Sequence, residues 1–317
     1  MQLRIEPLGK SVGPPGRRAV AIGNFDGIHL GHLKLLRACV EEGRQRGLTP
    51  TVMTFDPHPA TVVSPRGAPP RIQTLTSRRR RLMEIGVLEL AQLRFDETVA
   101  RLSPVAFVQQ ALVQGVEAGC VVVGSGFRFG ADRAGDVPTL RALGRGRFET
   151  VEVPPLEDEG GRVSSSRIRE ALLRGDLTLA QRWLGRPYEI EGRVLHGDHR
   201  GRSLGFPTAN VDLEGVSALG PGVYAAEGLI EGEAAFRRAA VNLGLRPTFA
   251  GAERRLEAHF PGFSGDLYGR AVRLVFLLRL RDERRFDSAG DLVAQLEADV
   301  RAAERVPPST GWVERRP

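Results

Sequence analysis

Lysine is almost missing from this sequence. Lys10 and Lys34 are the only two lysines, so arginine carries nearly all of the positive charge, and the formal net charge is +7. Such a surplus can indicate nucleic-acid binding. However, aromatic residues, on which bases stack, make up only 6% of the chain, and apart from Arg78 to Arg81 the arginines are dispersed. We therefore expect a solvated arginine-rich surface and no nucleic-acid partner.

Long apolar runs are absent as well. No stretch of about 18 apolar residues exists, so no membrane-spanning helix is expected. Residues 1 to 10 lack the apolar core of a secretion signal. Cys39 and Cys120 are the only cysteines, and their apolar surroundings predict buried free thiols. These features predict a cytoplasmic protein without membrane contact, and nothing in the sequence indicates an oligomeric state.

The first part of the chain, residues 1–183, alternates apolar strands with amphipathic helices. Leu33, Leu36 and Val40 have helical spacing before a stop at Gly47, and Ser103 can cap a helix that runs to about residue 117. Alternating strands and helices predict an α/β domain with a parallel sheet. The predicted strands are 18–22, 50–55, 120–123 and 148–153.

After Trp183 the pattern changes, because strands follow strands with glycine-rich turns between them. This pattern predicts a small β-barrel or β-sandwich over residues 184–306. Ser288 can cap a terminal helix with an apolar stripe at Leu292, Leu296 and Val300. Residues 307–317 are expected to be a frayed tail. The predicted strands are 189–195, 223–229, 239–243, 255–260 and 272–280.

A glycine-containing turn joins the first predicted strand to the first helix. Gly23 and Gly27 would let the backbone approach phosphate oxygens, and the helix N-terminus supplies free N–H groups. His29 and His32 are three residues apart and face one side of the first turn, and Gly31 between them removes a side chain that could obstruct a nucleotide. Imidazoles and backbone amides at this place suit nucleotidyl transfer, which requires positioned phosphates and no covalent intermediate.

A run of three hydroxyls, Ser164 to Ser166, precedes another predicted helix. The hydroxyls can cap the helix or hold phosphate oxygens, and Arg169 can pair with a phosphate. On its own this run favours capping.

A second glycine-rich stretch opens the β-rich part of the chain. Gly197, Gly201 and Gly205 would form a loop whose amides wrap phosphates. Thr208 and Asn210 follow on an extended strand, so both project from one face, and their hard oxygens suit Mg²⁺. The sequence contains no Gly-x-x-x-x-Gly-Lys-Ser/Thr loop, which excludes an ordinary P-loop kinase.

The blocks in the first half resemble the HxGH nucleotidyltransferases, and in particular the N-terminal domain of bifunctional riboflavin kinase/FMN adenylyltransferases. The resemblance implies a Rossmann-like domain that transfers the adenylyl group of ATP to FMN, giving FAD. Two departures are Ser166, where the family has threonine, and Gly126, where it has a polar or acidic residue. The matching blocks are residues 23–32, 54–59, 123–130 and 164–169. The implied site residues are catalytic His29 and His32, with Gly23, Asn24, Phe25, Asp26, Gly31, Ser164, Ser165, Ser166 and Arg169 binding ATP.

The blocks in the second half are similar to the riboflavin kinase domain of the same family, a Greek-key β-barrel that converts riboflavin to FMN with Mg²⁺ and ATP. Riboflavin, FMN and ATP are then the partners of the chain, and Glu257 is implied as the general base for the ribityl 5′-hydroxyl. The matching blocks are residues 197–210, 222–225, 241–249, 256–260 and 265–269. The implied ATP-binding residues are Gly197, Arg200, Gly201, Gly205, Pro207, Thr208 and Asn210, with Thr208 and Asn210 as the metal ligands.

Three alternatives remain at the level of the sequence. Gly126 favours a degenerate first domain and a protein that is only a riboflavin kinase. The arginine excess favours a non-catalytic RNA-binding protein on a nucleotidyltransferase scaffold. A nucleotidyltransferase for pantetheine phosphate or nicotinamide mononucleotide is disfavoured by the flavokinase-like second half.

Overall fold

The computed structural model describes residues 1–9, 16–159, 161–196, 205–248 and 251–309. These residues pack into two units. The first consists of Met1–Pro69 and Arg78–Val163, and the second consists of Pro70–Ser77 and the described residues from Ser164 onward. Apart from Pro70–Ser77, the first packed unit therefore ends at Val163. The boundary at residue 183 follows from motifs and stays a prediction about functional domains.

The chain up to residue 163 alternates strands and helices. The strands are β1 (Leu3–Pro7), β2 (Arg18–Ile22), β3 (Thr49–Asp56), β4 (Glu89–Arg94), β5 (Ala118–Gly124), β6 (Glu149–Val153), β7 (Glu157–Asp158) and β8 (Gly161–Arg162). The helices are α1 (Leu30–Arg46), α2 (Pro59–Val63), α3 (Leu75–Ile85), α4 (Glu97–Ala100), α5 (Pro104–Phe107) and α6 (Val137–Gly144), with a π-helical stretch at Val108–Gly115 and a 3₁₀ turn at Ala131–Arg133.

Strands β1 to β6 form one sheet in the order β1-β4-β3-β2-β5-β6. Neighbours are parallel from β4 to β6, and only the edge strand β1 runs antiparallel. Successive side chains point to opposite faces, so Val20 and Val121 enter one hydrophobic core while Ala21 and Val122 enter the other. Both faces are covered, which explains the continuous apolar runs and confirms the predicted parallel sheet.

Both cysteines are buried free thiols within this unit, as the sequence predicts. The Sγ of Cys39 donates to the carbonyl oxygen of Ala19 over 3.1 Å. Burial raises the pKa of the Cys39 thiol to about 12 and that of Cys120 to about 11. Both groups therefore stay protonated at neutral pH and serve the core rather than any chemistry.

The chain from Ser164 onward begins with two helices and continues as a barrel. The helices are α7 (Ser165–Leu173), α8 (Leu177–Leu184) and, at the end, α9 (Ala289–Arg305). The strands are β9 (Tyr188–Leu195), β10 (Thr208–Val211), β11 (Gly222–Ile230), β12 (Arg237–Thr248), β13 (Gly251–His259) and β14 (Ala271–Arg281). Every helix among the described residues is too short or too polar to cross a membrane.

The six strands close into a barrel in the order β10-β13-β12-β11-β14-β9, with all neighbours antiparallel. Ala209, Ala258, Val241 and Tyr224 stand directly opposite one another on successive strands and are buried, so they form an inner row. Residues one step along each strand therefore face outward. The predicted barrel and its terminal helix are confirmed.

Helix α9 covers part of the outer surface of the barrel and is held there by an ion pair. Ser288 caps the helix as predicted, accepting from the backbone N–H of Asp291. Arg281 on β14 donates to both carboxylate oxygens of Asp299 over 2.9 and 2.6 Å. Beyond α9, Ser309 donates to Glu227. Residues 310–317 of the predicted frayed tail lie outside the described residues.

Candidate active sites

The loop between β2 and α1 has an unusual backbone. Phe25 and Ile28 have positive φ values of 49° and 37°, and Gly27 has a φ of 89°. A positive φ is costly for a β-branched residue, so the surroundings must hold it in place. The side chains of Phe25 and Ile28 are each only 1% exposed, and their burial provides that hold. The loop lies at the carboxyl end of β2, where parallel sheets bind ligands, with Asp26 half-buried within it.

The two predicted histidines are brought together at the start of α1. His29 is the N-cap residue, and its Nδ1 accepts from the backbone N–H of His32 over 3.2 Å. The two rings stack with centroids 3.7 Å apart, and the edge of Phe25 packs on His32 at 5.2 Å. Because Nδ1 of His29 is an acceptor, the neutral ring carries its proton on Nε2. His29 thus places one N–H donor beside the backbone amides of a helix N-terminus.

Gly31 has a specific steric role beside the pair. A Cβ built on Gly31 would stand 3.2 Å from both Cε1 and Nδ1 of His29 and 3.7 Å from the carbonyl oxygen of Val163. The imidazole of His29 therefore occupies the space that a side chain at position 31 would need. Gly23 is packed in a similar way, because its Cβ would lie 3.1 Å from the ring of Phe25.

Asn24 is fixed by two residues to which the sequence assigns no role. Its side-chain amide lies 3.0 Å from Nε2 of His58, whose Nδ1 accepts from the backbone N–H of Ala60 at the start of α2. The guanidinium of Arg78 donates to the backbone carbonyl oxygen of Asn24 over 3.2 Å. The sequence could have suggested His58, because it lies in the matching block 54–59. No motif near Arg78 predicts its contact with this loop.

Gly126 stands beside a cation. A Cβ at this position would lie 3.4 Å from Nη1 of Arg162. The guanidinium of Arg162 therefore borders the place where the family carries a polar or acidic side chain.

The serine block lies at the N-terminus of α7, in the second unit. Ser164 is the N-cap residue and accepts from the backbone N–H of Arg167 over 3.5 Å, so capping is its structural role. Ser165 and Ser166 form the first turn of the helix. Arg169 donates through Nε to the carbonyl oxygen of Pro70 over 2.7 Å. Phosphate binding by these residues stays a prediction.

The outer face of the barrel brings the second group of predicted residues together. Asn210, Glu257, Asn242 and Val223 stand directly opposite one another on four successive strands. Thr208, His259 and Ala240 form the adjacent row. Cross-strand neighbours on one face lie about 5 Å apart. Thr208, Asn210 and Glu257 therefore form one cluster, and their roles in binding and catalysis stay predictions.

A cavity of about 610 Å³ opens on one side of this cluster. It is bounded by Pro207, Thr208 and Asn210 and by the segment Phe260–Tyr268. Gly205, just before it, has a φ of 84°, which favours glycine. The other glycine-loop residues predicted to bind ATP, namely Gly197, Arg200 and Gly201, lie outside the described residues.

A second cavity, of about 290 Å³, lies between the outer face and α9, near the lower end of the usual range for ligand pockets. Glu257 and Asn242 line its floor, and Leu292, Leu296 and Val300 of α9 give it an apolar wall. The predicted apolar stripe of α9 therefore serves this cavity. Thr208 borders both cavities, so it marks the point where they meet.

Polar contacts hold Glu257 and its neighbour His259. Nη1 of Arg255 lies 3.5 Å from a carboxylate oxygen of Glu257. Nδ1 of His259 donates to the carbonyl oxygen of Pro207 over 2.9 Å. The sequence did not single out His259 or Asn242, although both lie within matching blocks, because their proximity to Thr208 arises only from strand pairing.

The residues present fit a magnesium ion better than a transition metal. The side-chain oxygen of Asn210 is buried and has no hydrogen-bond partner among the residues described. Within the same part of the chain, no group of three or more His, Cys, Asp or Glu residues could hold a metal. Mg²⁺ characteristically takes few protein oxygens, together with waters and substrate phosphates. An amide oxygen at Asn210 and a hydroxyl at Thr208 match that preference.

Comparison with known proteins finds two families along the chain. A family model for FAD synthetase matches residues 14–167, and one for riboflavin kinase matches residues 184–306. The bifunctional riboflavin kinase/FMN adenylyltransferase of Escherichia coli strain K12 is 41% identical over 281 residues, covering 88% of this chain and 90% of that protein. The enzyme of the same name from Pseudomonas fluorescens is 40% identical over 293 residues, covering 92% and 93%.

A solved structure is similar to this chain over most of its length. The crystal structure of a macrolide-efflux protein from Streptococcus pneumoniae has a TM-score of 0.79 and 35% identity, covering 94% of this chain and 97% of that one. Two successive family models and the extent of these identities lead to one conclusion: the chain belongs to the family of bifunctional riboflavin kinase/FMN adenylyltransferases.

Proposed function

We propose that the outer face of the barrel phosphorylates riboflavin, with ATP in the 610 Å³ cavity and riboflavin in the 290 Å³ cavity. The observation that carries this proposal is that Thr208 borders both cavities while Asn210 and Glu257 stand in the neighbouring row. A phosphoryl group that is transferred at Thr208 can therefore pass from one cavity to the other.

In this reaction Glu257 accepts the proton of the ribityl 5′-hydroxyl, and the oxygen then attacks the γ-phosphorus of ATP. The bond between the γ-phosphorus and the bridging oxygen breaks, and ADP leaves. Arg255 holds the Glu257 carboxylate in position. Thr208 and Asn210 would hold Mg²⁺, which supplies charge neutralisation on the phosphates when bound.

We propose that the β2–α1 loop carries out the second reaction, in which FMN becomes FAD. A phosphate oxygen of FMN attacks the α-phosphorus of ATP, the bond between the α- and β-phosphates breaks, and pyrophosphate leaves. The Nε2–H of His29, the ring of His32 and the free amides at the start of α1 bind the developing negative charge. No covalent enzyme intermediate is needed.

These reactions form a sequence, because the FMN released at the barrel is the substrate of the β2–α1 loop. The chain would then use one ATP at each site. Riboflavin, FMN and ATP are the small molecules it would meet, in the cytoplasm, without a nucleic-acid or membrane partner.

Chromatography of the flavins tests both steps in one assay. The intact chain, given riboflavin, ATP and Mg²⁺, should form FMN first and FAD after a lag. A chelator in excess over Mg²⁺ should stop FMN formation, because Thr208 and Asn210 alone do not neutralise the phosphates. Accumulation of FMN without any FAD would refute the second reaction, and failure to form FMN would refute the first.

Gly31→Ala tests the histidine geometry. The added Cβ forces the ring of His29 to move by a few tenths of an ångström, since only 3.2 Å separates them. Misplacement on this scale costs catalysis heavily, so we expect FAD formation from FMN to fall by roughly tenfold or more. The temperature of thermal unfolding should not fall by much, because alanine is more favourable than glycine in a helix. An unchanged rate of FAD formation would show that His29 has no positional role.

A further inference from the structure

Three carboxylates border the 290 Å³ cavity, and they differ in their partners. Asp299 accepts from Arg281, and Glu257 faces Arg255 at 3.5 Å. Glu283, on the connection between β14 and α9, makes no hydrogen bond or ion pair with any described residue. Glu283 is exposed to solvent at the edge of this cavity, so a ligand that enters the cavity can reach its carboxylate.

The carboxylate of Glu283 lies against a glycine on the neighbouring strand. A Cβ on Gly244 would lie 2.5 Å from Oε1 of Glu283 and 3.4 Å from Nδ2 of Asn242. The carboxylate therefore rests against the bare backbone of Gly244. Gly244 lies two residues beyond Asn242 on β12 and pairs with Arg255, so Glu283 stands one row past Glu257 on the same face.

The proposed substrate has matching groups next to its reacting hydroxyl. Riboflavin carries secondary hydroxyls on the ribityl chain next to the reacting 5′-hydroxyl, and each hydroxyl is a hydrogen-bond donor. A carboxylate is an acceptor only, and hydrogen bonds to charged groups are stronger than neutral ones. The apolar wall of α9, by contrast, suits the aromatic ring of the flavin.

We propose that Glu283 is a riboflavin-binding residue, which accepts hydrogen bonds from the ribityl hydroxyls and so presents the 5′-hydroxyl to Glu257. This inference rests on the proposed kinase site. Two acidic residues of the cavity then have separate roles. Glu257 takes the proton of the 5′-hydroxyl, and Glu283 positions the ribityl group that bears this hydroxyl. Gly244 has the supporting task of leaving space for the carboxylate.

The test compares two flavins, riboflavin and lumiflavin, which has the same ring but a methyl group in place of the ribityl chain. Binding to the full-length Glu283→Ala protein is measured by quenching of flavin fluorescence. Loss of a charged hydrogen bond predicts a dissociation constant for riboflavin about 10- to 100-fold higher, with lumiflavin changed less than about twofold. The KM for riboflavin should rise by a similar factor, and Glu283→Gln should recover part of the loss.

Two further variants sharpen the result. Gly244→Ala should reproduce the selective loss of riboflavin, because its Cβ displaces the carboxylate. Glu297→Ala, on an exposed part of α9 beside Arg301, is the matched control and should change neither flavin. Formation of FAD from supplied FMN should be unaffected in every variant, and normal binding of lumiflavin would show that the barrel of each variant is folded.

Two outcomes would overturn the proposal. Equal weakening of riboflavin and lumiflavin would place Glu283 at the ring or in the support of the cavity. Unchanged binding of both would remove it from recognition altogether. Failure of the kinase assignment itself would look different, because the unmodified chain would then make no FMN from riboflavin.

Discussion

Replacing Glu257 with glutamine is expected to lower the rate of FMN formation by about 10²–10⁴-fold, the usual contribution of a positioned general base. Glutamine keeps the size of the side chain and one acceptor oxygen but cannot take the proton of the ribityl 5′-hydroxyl. The loss should therefore appear in kcat at saturating riboflavin and ATP. Chromatographic measurement of FMN over time gives this rate directly.

The same variant carries its own control. Glu257→Gln should convert supplied FMN to FAD at the rate of the unmodified chain, because Glu257 belongs to the barrel and the β2–α1 loop is unchanged. Glu297→Gln, an equivalent change at an exposed position, should leave both rates unaltered. A normal kcat for FMN formation in Glu257→Gln would mean that another group takes the proton.

Replacing His29 should produce the opposite pattern. Removing a donor from a developing negative charge costs about 10²–10³-fold in rate, so His29→Ala should nearly abolish FAD formation from FMN. Formation of FMN from riboflavin should continue unchanged. Both rates can be measured in parallel, with FMN or riboflavin as the starting flavin.

His29 also caps α1, and a second variant separates the two roles. Alanine at an N-cap position costs about 1 kcal/mol of stability, whereas asparagine is a good N-cap residue. His29→Asn should therefore lose FAD formation as fully as His29→Ala while unfolding at nearly the normal temperature. If His29→Asn retained full activity, the histidine would serve only as a cap.

Much of the fold was predictable because its signals are local. The buried strands β2, β3 and β5 are continuous apolar runs, and Ser288 and Gly47 mark helix ends through their own capping interactions. Strands β1 and β4 gave no such signal. They lie towards one edge of the sheet and mix polar with apolar residues, so their pairing depends on the tertiary structure.

The residues of the candidate sites also differ in whether a local pattern predicts them. Residues within one short motif, such as His29 with His32 or Thr208 with Asn210, were found because the chain itself places them on one face. Glu283 and Arg78 are distant in sequence from the groups they approach. Only the packing of the connection before α9 and of α3 brings them there, which a local pattern does not contain.

Mixing the two variants tests the central claim, that one chain holds two independent sites linked by free FMN. Glu257→Gln alone and His29→Asn alone should each make FAD from riboflavin, ATP and Mg²⁺ at about one hundredth of the normal rate or less. The mixture should make FAD, because FMN released by the His29→Asn chain is used by the Glu257→Gln chain. FAD formation near the normal rate by either variant alone, or no faster formation by the mixture than by the single variants, would contradict the account.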